Sequence, residues 1–125
     1  MAPEGGQRRK LGDRGERFAA CFLEAKGFEI LERNYRCQVG EVDLVAQEGE
    51  CLVFVEVRSR SSDDFGTPEE SITQQKRRRL TQVAECYVAE RGSSLPAWRI
   101  DVVAVDFGPR GSAQRVELFR NAVTG

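Results

Sequence analysis

The sequence contains no histidine among its 125 residues. This absence excludes a Ser-His-Asp triad, a Cys-His dyad and a zinc ion held by histidine. Any catalysis by this chain has to use carboxylates, amines, thiols, hydroxyls or a hard metal ion. Acidic residues and the cations near them are therefore the first candidates for chemistry.

The chain also lacks long apolar runs, paired cysteine motifs and a strong excess of charge. No segment approaches the roughly 20 apolar residues that cross a bilayer, so no membrane association is expected. The cysteines show no CxxC spacing, and residues 1–10 have no apolar stretch of the kind found in signal peptides. These features predict reduced thiols in the cytoplasm. The chain has a net charge of −1 and so lacks the excess of basic residues that is common in DNA-binding domains.

The hydrophobic patterns predict one α/β domain with the element order αβββαββ. Residues 1–11 show no periodicity and are predicted to form a flexible tail before a nuclease-like domain at 12–125. Capping residues mark the start of each predicted helix. The predicted helices run from Asp13 to Gly27 and from Thr67 to Gly92, and the predicted strands cover 28–37, 40–47, 51–59, 98–107 and 114–120.

The strands are predicted to form a mixed central sheet flanked by helices. The first three strands form a meander, and the second helix returns the chain so that the fourth strand runs parallel to the third. A tight turn at Glu48-Gly49 would pair residue 43 with residue 54. Apolar residues alternate on both faces of strand 51–59, which predicts a central strand covered on both sides.

Acidic residues of the second and third strands are predicted to lie on one face of the sheet. The predicted pairing projects Glu41, Asp43, Glu56 and Arg58 from the same side. Glu56 lies among apolar residues, where a carboxylate loses hydration unless a cation pairs with it. Two interpretations stay open: a Glu56–Arg58 ion pair, or a Mg²⁺ or Mn²⁺ site with Asp43 and Glu56 as ligands.

Four further charged residues are candidates for a place at or near the site. Glu16 is either a capping-box carboxylate at the helix start or a third acid over the same site. Lys76 and Arg79 are three positions apart on the predicted second helix, so they share a face that is either a solvated basic surface or a site that binds nucleic-acid phosphates. Asp101 either faces the site or lies at the entry of the fourth strand, and the second interpretation is preferred.

Several motifs closely resemble the YraN-like family of uncharacterised bacterial proteins. They are GExxA at 15–19, RNYR at 33–36, GEVDLVA at 40–46 and LVFVEVRSR at 52–60, within a resemblance that covers 11–123. That family resembles the restriction-endonuclease-like fold and is similar to archaeal Holliday junction resolvases, which use a PD-(D/E)xK-type site. The resemblance therefore implies a restriction-endonuclease-like α/β fold.

The resemblance also implies a role for each acidic residue. It makes Asp43 and Glu56 the ligands of Mg²⁺ or Mn²⁺, and it makes Glu16 the helix-borne acid that completes the catalytic set. The family's lysine position holds Arg58 in this chain. Because arginine stays protonated, Arg58 cannot transfer a proton, although its charge can stabilise a phosphate in the transition state.

The expected function is therefore that of a Mg²⁺-dependent endonuclease, a phosphodiester hydrolase acting on structured or branched DNA in recombination or repair. Branched DNA as a partner favours a homodimer. The alternative is a non-catalytic nucleic-acid-binding or adaptor module that retains the nuclease fold, and Arg58 and the near-neutral charge favour it. A third possibility is a structural domain in which Glu56 and Arg58 form an ion pair.

Overall fold

Five strands and two helices make up the fold in the computed structural model. The structure describes residues 3–61, 72–92, 97–108 and 111–121, with side chains from residue 14 onward. In chain order the elements are α1 (Pro3–Ala25), β1 (Glu29–Cys37), β2 (Gly40–Glu48), β3 (Cys51–Ser61), α2 (Gln74–Arg91), β4 (Ala97–Phe107) and β5 (Ala113–Phe119). The predicted order αβββαββ is confirmed. Neither helix, over the residues described, is long and apolar enough to cross a membrane.

The strands form one mixed sheet in the spatial order β1-β2-β3-β4-β5. The first three strands are antiparallel neighbours, β3 and β4 are parallel, and β5 returns antiparallel to β4. The meander and the parallel pairing across α2 are therefore confirmed. β3 lies at the centre of the sheet: it pairs with β4 along its whole length and with β2 from Cys51 to Val55.

The two helices cover opposite faces of the sheet. Val53 and Val55 of β3 pack in the apolar cluster under α1, whereas Phe54 packs with Leu80 and Val83 under α2. All of these side chains are buried. The alternation predicted for β3 is confirmed, because period-two burial on both faces is what a central strand between two helical layers requires.

Helix α2 begins at Gln74 rather than at the predicted cap Thr67. Thr73 has extended backbone angles (φ −68°, ψ 160°), and its hydroxyl accepts a hydrogen bond from the backbone N of Lys76 at 3.1 Å. A single helix from Thr67 to Gly92 is therefore wrong, since Thr73 interrupts it as an N-cap. Thr67 itself lies outside the described residues. The predicted end is confirmed, because Gly92 adopts φ 67° just after α2.

Helix α1 begins at Pro3, ten residues before the predicted cap Asp13. Residues 3–11, which were assigned to the tail, therefore have helical backbone. Once the packed part of a helix exists, adding further turns costs little, and Gln, Arg and Lys in this stretch favour helix. Glu16 lies inside α1, so the interpretation of Glu16 as a capping-box residue is wrong.

The register between β2 and β3 differs from the predicted one by two residues. Leu44 pairs with Val55 and Val45 with Phe54, because the tight turn is formed by Gly49 (φ 59°) and the residue after it. A shift of two residues keeps Val45 and Phe54 on one face of the sheet, because side chains alternate with period two. The ladder between β2 and β3 ends at the Leu44–Val55 pair, next to Asp43 and Glu56.

A buried ionic network secures the end of the sheet near the β2–β3 turn. Asp101 is fully buried, accepts hydrogen bonds from Arg99 Nε at 2.9 Å and from the backbone N of Asn121 at 2.7 Å. Arg99 also donates to Glu48 Oε1 at 2.5 Å, and Arg120 donates to Glu48 Oε2 at 2.7 Å. Asp101 therefore has a structural role, outside the predicted site.

Replacing Asp101 by alanine is expected to lower the free energy of unfolding by about 3 kcal/mol, because it leaves the Arg99 charge without its buried partner. Chemical denaturation of the purified variant measures this loss. The matched control is Asp106→Ala, which breaks a more exposed pair with Arg60 and is expected to cost about 1 kcal/mol. Equal losses in the two variants would contradict a special contribution from the Asp101 network.

Candidate active site

Asp43 lies where the regular alternation of β2 breaks. Val42 and Val45 both pack in the cluster under α2, although Leu44 packs under α1. Residues two or four apart on a regular strand share a face, so an irregularity must lie between Val42 and Leu44. Across the ladder from it, Asn34 adopts a positive φ of 53°. The distortion frees the Asp43 side chain from either apolar layer.

The Asp43 carboxylate is held against β3 beside Glu56. Its Oδ2 accepts a hydrogen bond from the backbone N of Val57 at 2.7 Å. Burial raises the pKa of Asp43 from its ordinary 3.8 to about 8; the negative charge of Glu56 adds to this rise, and that of Glu16 adds less. The hydrogen bond from Val57 acts in the opposite direction. Two carboxyl groups thus lie side by side where hydration is poor, so the ionisation of one disfavours that of the other. Such pairs are common at functional sites.

Two cations face the Glu56 carboxylate, whose side chain is only 5% exposed. Lys76 Nζ lies 2.9 Å from Glu56 Oε2, and Arg58 Nη1 lies 3.7 Å from the same oxygen. The structure therefore brings Lys76, which the sequence assigned to phosphate binding, to the carboxylates themselves. The Glu56–Arg58 contact is present, but the ammonium of Lys76 is the nearer cation.

Glu16 approaches this site from the α1 side. The neighbouring Gly15 packs directly on β3, where a Cβ atom on Gly15 would collide with Ser59 Oγ. This close approach places the Glu16 charge near enough to raise the pKa of Asp43. Within the described residues, however, no three acidic, histidine or cysteine side chains form a group that could hold a metal ion. Glu16 is thus an electrostatic neighbour of the Asp43–Glu56 pair.

The donor set of Asp43 and Glu56 fits a hard divalent cation. Mg²⁺ in proteins is commonly held by one or two carboxylates, with water and substrate phosphates completing its octahedron. A divalent cation between Asp43 and Glu56 would also offset the repulsion that contributes to the raised pKa of Asp43. Two carboxylate ligands, without a third, are therefore sufficient for this kind of site.

A basic cleft adjoins the carboxylates on the α2 side of the sheet. Its volume is about 360 Å³, and it is lined by Arg36, Cys37, Gly40, Glu41, Lys76, Arg79 and Leu80. Within the described part of the chain Arg79 has no ion pair, and Arg36 pairs with the exposed Glu41 at 3.2 Å. Lys76 belongs to both the cleft and the carboxylate site, so the two are continuous.

Gly40 lets the Arg79 side chain cross the β1–β2 turn into this cleft. The position of a Cβ atom on Gly40 is 2.9 Å from both Cγ and Cδ of Arg79, and Gly40 has φ 154°. Sequence reasoning missed Gly40 and Arg36 as parts of the cleft. No local pattern could have identified Arg36, because its place in the cleft depends on how α2 packs across the β1–β2 turn.

Comparisons with known proteins find one family. A model described as uncharacterised protein family UPF0102 matches residues 15–105. A UPF0102 protein of Moorella thermoacetica is 48% identical over 92% of this chain and 96% of its own length. A UPF0102 protein of Symbiobacterium thermophilum is 48% identical over 91% of this chain and 96% of its own length. A UPF0102 protein of Beutenbergia cavernae is 51% identical over 88% of this chain and 92% of its own length.

The raised pKa of Asp43 predicts a stability that depends on pH in the absence of divalent cations. Between pH 3.8 and about 8 the folded protein holds a proton that the unfolded chain releases. The free energy of unfolding should therefore fall as pH rises through this window, by up to about 1.4 kcal/mol per pH unit. Asp43→Asn removes this titration.

Urea denaturation in EDTA from pH 5 to pH 8.5 measures the effect. The advantage of the wild type over Asp43→Asn is expected to shrink steadily toward pH 8 and to level off above it. Parallel pH profiles for the two proteins would show that Asp43 is not protonated in the folded state.

Proposed function

The chain belongs to the uncharacterised protein family UPF0102, as its motifs indicated, and we propose that it is a metal-dependent nuclease acting on structured or branched DNA. One observation carries the proposal: the buried Glu56, with the partly buried Asp43 beside it, opens onto a basic cleft through the shared residue Lys76. Carboxylates that bind a hard cation beside positive groups that bind phosphate are what phosphodiester hydrolysis requires.

The chain's own residues divide the work between holding the cation and stabilising charge. Asp43 and Glu56 would hold Mg²⁺ or Mn²⁺, which when bound polarises a phosphoryl oxygen and activates a water molecule. Arg58, half-buried beside Glu56, would stabilise the negative charge that develops on the phosphate. Glu16 would contribute negative charge from α1. Because arginine stays protonated, Arg58 has no part in moving the proton from the water.

The fold is compatible with this chemistry. The α/β order αβββαββ, with the acidic pair on the adjacent strands β2 and β3, supports assignment to the restriction-endonuclease-like class, in which such a pair holds the metal ion. We place the activity in DNA recombination or repair in the cytoplasm. A branched substrate offers two equivalent strands, which suits a homodimer with one site per subunit.

The cleft supplies a path for the nucleic-acid backbone. Lys76 and Arg79 lie one helical turn apart on α2, and Arg36 faces them from the end of β1. Local positive charge of this kind binds phosphates even when the total charge of the chain is −1. The positive charge of the cleft therefore allows nucleic-acid binding by a chain that has no overall basic excess.

A second candidate function rests on Arg58. If the chemistry needs a lysine at that position to assist the attacking water, the chain is a non-catalytic nucleic-acid-binding or adaptor module with a nuclease fold. Such a module would use the same cleft. It would bind DNA whether or not a divalent cation is present, and it would leave the DNA intact.

Replacing either carboxylate of the pair is expected to lower cleavage by roughly a hundredfold or more, because each would hold the cation that stabilises charge in the transition state. The variants are Asp43→Asn and Glu56→Gln, and the control is Glu117→Gln on β5, whose carboxylate pairs with Arg115 on the surface. Cleavage of four-way junction, flap, single-stranded and linear duplex DNA is measured with Mg²⁺ or Mn²⁺.

The same assay separates the two candidate functions. Cleavage that persists in both Asp43→Asn and Glu56→Gln would contradict the metal-site assignment. DNA binding without cleavage, with every metal ion tested, would favour the adaptor module. A gain of cleavage in Arg58→Lys would show that Arg58 alone prevents catalysis at an otherwise complete site. No binding to any nucleic acid at low salt would favour the third possibility, a structural domain in which Glu56 and Arg58 form an ion pair.

Arg79→Gln is expected to weaken DNA binding equally across sequences, because the contact proposed for Arg79 is with phosphate rather than with bases. The slope of log affinity against log salt should fall by about 1, as for the loss of one phosphate contact. Fluorescence anisotropy at several salt concentrations measures both quantities. Arg78→Gln is the matched control, since Arg78 is an exposed neighbour on α2 outside the cleft; an equal effect of both variants would contradict the cleft assignment.

A further inference from the structure

The ammonium of Lys76 occupies a position that a divalent cation would also require. Lys76 Nζ contacts Glu56 Oε2 at 2.9 Å, whereas Arg58 Nη1 remains 3.7 Å away. A buried carboxylate needs a nearby positive charge, so Lys76 serves as the built-in counter-ion of Glu56 in the metal-free protein. A divalent cation bound through Glu56 would repel this ammonium, since both would lie against one carboxylate.

Lys76 has a second place to go. Its side chain is 41% exposed and lines the basic cleft beside Arg79. The backbone of Lys76 is fixed in the first turn of α2, where its N–H donates to the Thr73 hydroxyl. The ammonium can therefore leave Glu56 and pair with an anion in the cleft by a movement of the flexible four-carbon side chain alone.

We propose that Lys76 couples the binding of a divalent cation at Asp43 and Glu56 to the binding of a nucleic-acid phosphate in the cleft. The cation displaces the ammonium from Glu56, and the released ammonium pairs with the phosphate. This inference rests on the proposed function, because it needs both a cation and a nucleic acid as ligands. Coupling of this kind is reciprocal: the phosphate, by attracting Lys76, raises the affinity of the carboxylates for the cation.

The coupling is distinct from the direct attraction between a bound cation and a phosphate. Direct attraction does not involve the Lys76 side chain, so it persists when that side chain is neutral. The contribution of Lys76 is the part of the coupling that disappears in Lys76→Gln. Typical couplings between two sites change affinity about 5-fold to 150-fold.

The test measures two affinities in the wild type and in the variants at fixed pH and salt. Mn²⁺ binding is followed by electron paramagnetic resonance without DNA, and anisotropy gives the affinity for a phosphorothioate oligonucleotide with and without saturating Mn²⁺. In Lys76→Gln, Mn²⁺ should bind more tightly without DNA, and the gain in oligonucleotide affinity on adding Mn²⁺ should fall at least about fivefold. Lys76→Arg should restore both values toward those of the wild type.

Two controls isolate Lys76 from the rest of the cleft. Arg79→Gln should weaken oligonucleotide binding while leaving the affinity for Mn²⁺ without DNA unchanged, because Arg79 does not contact Glu56. Arg78→Gln should leave every value unchanged. Thermal unfolding checks that each variant is folded, and Lys76→Met, which keeps the apolar stem, replaces Lys76→Gln if the latter does not fold.

The outcomes separate this inference from the proposed function. If the wild type binds Mn²⁺ and the oligonucleotide but Lys76→Gln has the same coupling as the wild type, Lys76 is only a structural ion-pair partner and the inference is overturned alone. If Asp43→Asn and Glu56→Gln bind Mn²⁺ as the wild type does, or if the wild type binds neither ligand, the proposed function is overturned together with the inference.

Discussion

The burial of the Glu56 carboxylate in the central strand β3 is the constraint on which the site depends. Glu56 is 4% exposed and is followed and preceded by apolar residues of the same strand. An ionised carboxylate in such a place is stable only with a positive charge nearby. Lys76 and Arg58 provide this charge from α2 and from β3 itself, and Asp43 lies beside Glu56 with a pKa raised to about 8.

Buried carboxylates have different partners at the two ends of the sheet. Near the β2–β3 turn, Asp101 is matched by Arg99 and by the backbone of Asn121, and Glu48 joins this network. Every partner there is used within the chain, so the network stabilises the fold. At the Asp43–Glu56 end Lys76 and Arg58 lie beside Glu56, and burial together with the charge of Glu56 raises the pKa of Asp43 to about 8. Placing two carboxylates side by side where hydration is poor costs stability, and such a cost is common at functional sites.

Most of the fold was predictable because it rests on short-range patterns. The alternation of apolar residues in β3 identified a central strand, and the five strands and the parallel β3–β4 pair followed from order and spacing. The turn was displaced by one residue, at Gly49, and the register by two, yet Val45 and Phe54 stayed on one face because side chains alternate with period two. Helix starts were less accurate, since several residues of this chain are competent caps and packing chooses among them.

The sequence by itself determined that Asp43, Glu56 and Arg58 lie together, because all three belong to adjacent antiparallel strands whose faces alternate. It also determined membership of UPF0102 through the motifs around them. Only the tertiary structure decided that Lys76 is the nearest cation to Glu56 and that Arg36 lines the same cleft. The reason is physical: the distance from a helix to a strand depends on how the crossover packs on the sheet, and no local pattern encodes that distance.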